Sequence, residues 1–343
     1  MSEREKTIVG ISIGDVNGIG PEIILKTFSD SRMLDMCAPV IYGSIDVLQE
    51  YKKILHLPDL PLYSISSATD LKRNKVNIID CFEGKVDLEF GQSTAAAGEL
   101  AFKSLEKLTD DALASKVDVI VTAPINKRNV SEFYSGFTGH TGYISDRCEK
   151  EALMILCSEK MKIAMTTGHI SLSKVSSTIT TELIIRRIEA LHKSLMQDFG
   201  IDRPKIAVLG LNPHSGEHGL LGSEEEKVIL PAISQVKTKR ILAFGPYSSD
   251  GFFGSGNYTN FDAILAMYHD QALIPFKTLS FEDGVNYSAG LDFIRTSPDH
   301  GTAYEIAGQK LASEASFRQA VYKACDIFSQ RKSELTESEE VIS

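Results

Sequence analysis

The stretch from Asp262 to Lys277, DAILAMYHDQALIPFK, holds an apolar run, Ala263 to Met267, with the length and bounding of a buried strand. The run stops at three polar-tipped residues, Tyr268, His269 and Asp270. In open α/β sheets ligands gather beyond the carboxyl ends of the strands, where the loops leave a crevice while the strands hold the backbone rigid. A His-Asp pair at such an end faces that crevice. A hydrogen-bonded structural histidine would use the same two residues, so the pair acquires meaning only from repetition elsewhere in the chain.

The repetition lies upstream. Lys162 to Thr166 reads as a strand running into Thr167-Gly168-His169, and Lys205 to Leu211 as one running into Asn212-Pro213-His214-Ser215-Gly216. Ile241 to Phe244 is a further short strand, ending in Gly245-Pro246 and reaching Asp250. Three imidazoles delivered by three strand ends to one edge of a sheet are a donor set suited to a divalent transition metal, and open coordination positions would make the site catalytic. Asp250 and Asp270 are placed to accept a ring N–H and orient it. Three unrelated histidines remain the alternative. Between these units, a helix from about Thr180 to Phe199 carries Ile184, Ile188, Leu191 and Leu195 on one face. Ser223-Glu224-Glu225-Glu226 has capping-box spacing and predicts another helix start.

The amino-terminal half has the same rhythm. Thr7 to Ile13, rich in β-branched residues, enters Gly14-Asp15-Val16-Asn17-Gly18-Ile19-Gly20-Pro21-Glu22, a turn into a helix with proline at its first position. Gly18 and Gly20 invite a dinucleotide fingerprint, but the third glycine position holds Ile23, and a plain strand-to-helix turn fits as well. Strands are expected at Pro39 to Gly43, Val76 to Asp80 and Val117 to Val121, with a helix from Thr94 to Leu113, so the sheet should be largely parallel. Lys127, closing Thr122-Ala123-Pro124-Ile125-Asn126-Lys127, can hold an anion or lower a hydroxyl's pKa; a solvated loop lysine would look alike. Phe137-Thr138-Gly139-His140-Thr141-Gly142 can wrap a phosphate or carboxylate, or simply be a turn with capping hydroxyls. Lys277, Asn286 and Arg295 add donors for such anions. The segment from Phe293 to Gly308 reads as a charged, glycine-containing loop competent to hold a nucleotide or to cross between domains. A helix near Glu314 to Gln330 closes the fold, ahead of a frayed acidic tail, Ser333 to Ser343.

Composition sets the outer bounds. A chain of 343 residues implies about two domains, and a formal net charge of -10 disfavours nucleic acid and anionic membranes as partners. Five cysteines without a CxxC pair indicate neither a disulfide framework nor a thiolate zinc site. With no signal-type segment and no apolar run of about 18 residues, a soluble cytoplasmic protein is expected.

The segments GDVNGIGPE, VTAPINK, FTGHT, TTGHISL, LNPHSGEHGLLGSEE, MYHDQALIPFK, GVN and FIRTSPDHGTAYEIAG, in this order, resemble the 4-hydroxythreonine-4-phosphate dehydrogenase family of vitamin B6 biosynthesis nearly end to end. The resemblance implies an α/β, isocitrate/isopropylmalate dehydrogenase-like fold with two domains and a central cleft. Its first domain would be residues 1–125 plus 293–343, with the nucleotide loop, and its second 126–292, with the metal and the dimer interface. It implies a homodimer with active sites at the subunit interface, His169, His214 and His269 as ligands of a divalent metal (Zn, Mg or Co) supplied by one or both chains, and His140, Thr141, Lys277, Asn286 and Arg295 on the substrate. NAD or NADP would lie on the loop containing Asp299, His300, Gly301 and Thr302. Lys127, Asp250 and Asp270 are the candidate bases for a metal-dependent oxidation followed by decarboxylation to 3-amino-2-oxopropyl phosphate. Gly168, Ser171 and the segment Thr278 to Gly284 depart from the commoner pattern of the family and bear on substrate identity: threonate or erythronate 4-phosphate is the alternative substrate. A non-catalytic metal- or phosphate-binding homologue and a metal-dependent hydrolase are the alternatives from other classes.

Overall fold

A computed structural model of the chain describes residues 6–82, 84 and 86–342, and side chains as far as residue 334. Its strands are β1 (Thr7–Ser12), β2 (Cys37–Gly43), β3 (Leu62–Ser64), β4 (Val76–Asp80), β5 (Val119–Thr122), β6 (Leu153–Cys157), β7 (Lys162–Met165), β8 (Lys205–Leu209), β9 (Leu242–Tyr247), β10 (Ala263–Ala266), β11 (Val285–Ala289) and β12 (Ile294–Pro298). The chain divides into two compact units, Met1–Ala152 with Leu291–Phe328, and Leu153–Gly290 with Ser329–Ser343.

In the first unit the strands lie in the order β3-β4-β2-β1-β5-β12, every pair parallel. The central strands β1 and β5 are apolar along nearly their whole length because both faces are covered, as parallel sheets require. The helix Ala95–Leu113, capped by the Thr94 hydroxyl on Ala97 N, lies against β1, β2 and β5. It contributes Ala101, Phe102, Leu105 and Leu108 to a core shared with Val40, Tyr42 and Ile120.

In the second unit the order is β11-β6-β7-β10-β8-β9. The pairs β7-β10, β10-β8 and β8-β9 are parallel, and β6 runs antiparallel to both β7 and β11. The helix Thr181–Gln197 packs on β6, β10 and β11 with the four aliphatic residues of its apolar face fully buried.

Several expectations are corrected here. The boundary between units falls at 152/153 rather than 125/126, because the helices Lys127–Phe133 and His140–Cys148 pack on the helix Ala95–Leu113, with Phe102 stacked on Tyr134 at 4.4 Å. Residues from Ser329 onward belong to the second unit, where Arg331 Nε donates to the buried Asp198 carboxylate at 2.7 Å. The backbone from Ala315 to Ile342 is one continuous helix, not a helix with a frayed tail. The segment expected as a charged loop begins as a buried strand, β12, whose register on β5 puts Arg295 opposite Ile120. The helix expected at Ser223–Glu226 opens as a π-turn, Glu225–Ile229, since Glu225 is turned inward to hold a neighbouring loop.

Candidate active site

In the first unit the chain leaves β1 toward β2 and β4 and later returns on the other side of β1 as β5. The loops that follow β1 and β5 therefore part from one another, and a crevice opens at this topological switch point. Because β1, β5 and β12 are parallel, the loops after all three meet at the same edge.

Asp15 joins them. Its buried carboxylate accepts Asn17 N at 2.9 Å from its own loop, Asn129 Nδ2 at 2.7 Å from the element after β5, and Tyr304 Oη at 2.6 Å from the segment after β12. Burial and this hydrogen bond push the Tyr304 phenol up to about 12, so it stays a donor at neutral pH. The expected nucleotide loop rests on the same turn: Ile19 N donates to Thr302 O at 3.0 Å. A Cβ on Gly18 would stand 2.7 Å from that carbonyl, so Gly18 serves close backbone approach between two loops rather than a dinucleotide fingerprint. His300 Nδ1 lies 3.1 Å from Gly301 O, and Asp299 N donates to Ser316 Oγ at 3.4 Å.

Beside this edge is a pocket of positive charge. Arg295, 2 % exposed on β12, donates from Nε and Nη2 to Thr122 Oγ1 at 3.2 and 2.7 Å and from Nη1 to Thr141 Oγ1 at 3.2 Å. Burial lowers its guanidinium only to about 10, so it remains charged at neutral pH. Lys127 starts the helix after β5, capped by Asn126, and its side chain crosses Gly139. That glycine has φ +114°, and a Cβ there would meet Lys127 Cε at 2.9 Å. His140 follows at once. Its Nε2 is shut off from solvent with no hydrogen-bond partner, and burial, then the charges of Arg295 and Lys127, hold the ring well below the ordinary imidazole range. A neutral imidazole with an unsatisfied nitrogen, between the buried Arg295 and the exposed Lys127, has the chemistry to receive an anion such as phosphate or carboxylate.

In the second unit the parallel strands β7, β10, β8 and β9 deliver His169, His269, His214 and Asp250, respectively, beyond one edge. The rings of His169 and His269 stand 5.4 Å apart between centroids. Two imidazoles on one tetrahedral ion, with metal–nitrogen bonds of about 2 Å, have centroids about 5 Å apart, so this pair is spaced as two ligands would be. Asp270 Oδ1 lies 2.7 Å from His269 Nδ1, which directs the other nitrogen, Nε2, outward for coordination. His214 sits in a left-handed run, with φ 52° at His214 and 54° at Ser215. That run is anchored by Glu225, which accepts Leu211 N and Asn212 N, and by Ser215 Oγ on Pro246 O. Asp250 is held below the usual carboxylate range by Ser248 Oγ at 2.6 Å, by the Gly251 backbone, and by the charge of the nearby His214. Among the described residues no three His, Cys, Asp or Glu side chains stand close enough to enclose a metal, so the third ligand is not drawn up to the His169/His269 pair. The donor chemistry fits a divalent cation and the pair spacing fits it; closure of the set does not appear within this single chain.

Lys277 lies two turns after Asp270 on the same side of the helix His269–Ser280, about 10 Å along its axis. Asn286 is in β11 at the level of Leu156 and Ile163, and its Oδ1 is shielded without a hydrogen-bond partner. A buried amide oxygen left unpaired costs about 1–3 kcal/mol, which a ligand donor would recover. Thus the first unit gathers Lys127, His140, Thr141, Arg295 and the loop Asp299 to Thr302, and the second gathers His169, His269 and Asp270, with His214 beside Asp250. Asp15, Thr122, Glu225 and Tyr304 escaped the sequence reading. The partners of Asp15 lie 114 and 289 residues away, and no local pattern reports them.

The α/β fold is shared with isocitrate dehydrogenase from Methylococcus capsulatus, which superposes with a TM-score of 0.52 at 12% identity, over 95% of this chain and 87% of that one. A family model described as pyridoxal phosphate biosynthetic protein PdxA matches residues 35–324. The chain belongs to this family. It is 48% identical to 4-hydroxythreonine-4-phosphate dehydrogenase from Bacteroides thetaiotaomicron, over 97% of this chain and 92% of that protein. It is 35% identical to a protein of Oceanobacillus iheyensis provisionally named D-threonate 4-phosphate dehydrogenase, over 94% of this chain and 98% of that one. The crystal structure of 4-hydroxythreonine-4-phosphate dehydrogenase from Klebsiella pneumoniae superposes with a TM-score of 0.83 at 35% identity, over 96% of this chain and 99% of that one.

Proposed function

We propose that the chain oxidises the secondary hydroxyl of 4-phosphooxy-threonine with NAD or NADP and releases carbon dioxide, giving 3-amino-2-oxopropyl phosphate for pyridoxal phosphate synthesis in the cytoplasm. The observation that carries this reading is the cluster formed by the buried Arg295, the half-buried His140 with its shielded nitrogen and the exposed Lys127, suited to an anionic phosphorylated hydroxy acid and carried by a chain 48% identical to a named dehydrogenase. Arg295, held in orientation by two threonine hydroxyls, binds one anionic group of the substrate. The neutral His140 donates or accepts at its shielded nitrogen, and Lys127 adds the second cation. His169, His269 and His214 would hold a divalent cation, with Asp270 fixing the tautomer of His269; when bound, that ion supplies Lewis-acid polarisation of the reacting oxygen. The loop Asp299 to Thr302 would hold the dinucleotide, which supplies the hydride acceptor.

The oxidation removes a hydride from the carbon and a proton from the hydroxyl. Asp250, kept ionised by Ser248 and Gly251, and Asp270 are carboxylates able to take up that proton, and Lys127 is the third candidate. The resulting ketone lies β to the carboxylate; the carbon–carboxylate bond breaks, its electron pair passes into an enolate as carbon dioxide leaves, and uptake of one proton at the amino-bearing carbon gives the amino ketone.

A homodimer belongs to the same proposal. Leu172, Leu220 and Ile274, each within six residues of a candidate metal histidine in the chain, are 72%, 76% and 65% exposed, apolar side chains that a second subunit would cover. Sedimentation at equilibrium tests it. The substrate assignment is tested by following reduced dinucleotide with 4-phosphooxy-threonine and with D-threonate 4-phosphate. Turnover of the first supports it, and turnover of the second alone transfers the chain to the sugar-acid branch, to which the Oceanobacillus relative's name points.

A further inference from the structure

Gln271 lies in the first turn of the helix His269–Ser280 and is 9 % exposed, yet its amide does not cap that helix. It reaches instead across the carboxyl ends of three strands. Oε1 accepts Met267 N at 2.6 Å, and Nε2 donates to Gly210 O at 2.7 Å and to Ser249 Oγ at 2.7 Å. Met267 directly follows the strand before His269, Gly210 directly follows the strand before His214, and Ser249 precedes Asp250. The peptide of Met267 extends the connection to a fourth loop, because its carbonyl accepts Thr167 N at 3.1 Å and Thr167 Oγ1 at 2.7 Å, two residues before His169. One neutral amide and one peptide therefore tie together every loop that bears a candidate metal ligand.

The chemistry of the position is demanding. It needs one acceptor and two donors at the end of a long side chain, and only glutamine supplies them without charge. A carboxylate there would face the Gly210 carbonyl and would compete for any cation at the histidines.

We infer that Gln271 is a positioning residue: it sets the spacing of the loops bearing His169, His214, His269 and Asp250, and so the affinity for a divalent cation, without touching cation or substrate. The inference rests on the metal reading of the histidines given above. Co2+ titration of the full-length protein, followed by the intensity of its visible d–d bands, tests both separately. Gln271→Met, which keeps the volume and removes all three hydrogen bonds, should weaken Co2+ binding by about 10- to 100-fold and change the band intensities, as loss of outer partners does at other metal sites. Ser249→Ala, which removes one leg only, should weaken it by a smaller factor. Ser194→Ala, which removes a buried hydrogen bond to Asp198 elsewhere in the same unit, should lower the melting temperature but leave Co2+ affinity unchanged. Wild-type affinity in both Gln271→Met and Ser249→Ala overturns the inference, and if Gln271→Met fails to fold, unchanged affinity in Ser249→Ala overturns it alone. Co2+ binding that His269→Ala leaves intact would remove the metal reading itself, and the inference with it.

Discussion

The two units solve one structural problem with opposite chemistry. Each gathers the loops at the carboxyl ends of its parallel strands onto a single polar side chain, but in the first the hub is the charged Asp15 and in the second the neutral Gln271. The charged hub is a buried carboxylate saturated by three neutral donors, which compensate the loss of its hydration. The neutral hub lies under imidazoles, where a second carboxylate would be a competing ligand. The exposure of the working groups differs accordingly. Arg295 is packed away and already oriented, whereas His169, His214 and Asp250 stand at the rim. Removing a charge from water is expensive, so a buried cation such as Arg295 has to be oriented during folding, whereas side chains at the rim can meet their ion in solvent.

If the units divide the work in this way, substitutions should separate metal binding from anion binding. The largest effect is expected from His269→Ala, which should lower turnover by about 10³-fold or more and abolish high-affinity Co2+ binding, while inorganic phosphate still protects the protein in thermal melts. Loss of that phosphate protection would show the two regions to be one. Arg295→Met should lower kcat/KM by about 10²- to 10³-fold, the effect of leaving a desolvated anion without its partner, with Co2+ affinity unchanged. Wild-type kcat/KM in this variant would eliminate the cationic pocket as the substrate site.

Asp270→Asn keeps the size of the side chain but weakens its hold on His269 Nδ1. A loss of about 10- to 100-fold in Co2+ affinity is expected by calorimetry, and no loss would mean that the ring is oriented by something else. Asp15→Ala strands three donors in the first unit and should cost about 3 kcal/mol in urea unfolding, without altering the Co2+ spectrum of the second.

The smallest effect belongs to His140. Its folded-state pKa lies below the ordinary value of 6.5, so as the pH falls through about 6.5 the unfolded chain takes up a proton that the folded chain does not. Stability contributed by the neutral ring is therefore present above that pH and is lost as the pH falls toward the depressed folded value. The shift in urea midpoint between about pH 7.5 and about pH 5.5 should be smaller in His140→Gln than in the wild type. An equal shift would place the titration elsewhere.

Much of this was legible in the chain itself. The apolar runs ending at His169, His214 and His269 marked three strands and the edge to which they deliver, because strand length and a polar stop are local properties. Other features were not local. β6 and β11 are short and carried no strand assignment in the sequence, and the antiparallel pair they form joins segments far apart in the chain. The strand β12 was hidden by the charge of Arg295, which in this buried strand donates to the hydroxyls of Thr122 and Thr141.

By itself the amino-acid order determined the α/β class, the strand ends and the kinds of side chain placed there, since these follow from periodicity and residue chemistry within short windows. Only tertiary structure decided which of those side chains meet. The Asp15 hub, the burial of Arg295, the unsatisfied nitrogen of His140 and the Gln271 ties all arise from strand order and register, which bring together residues as many as 289 positions apart.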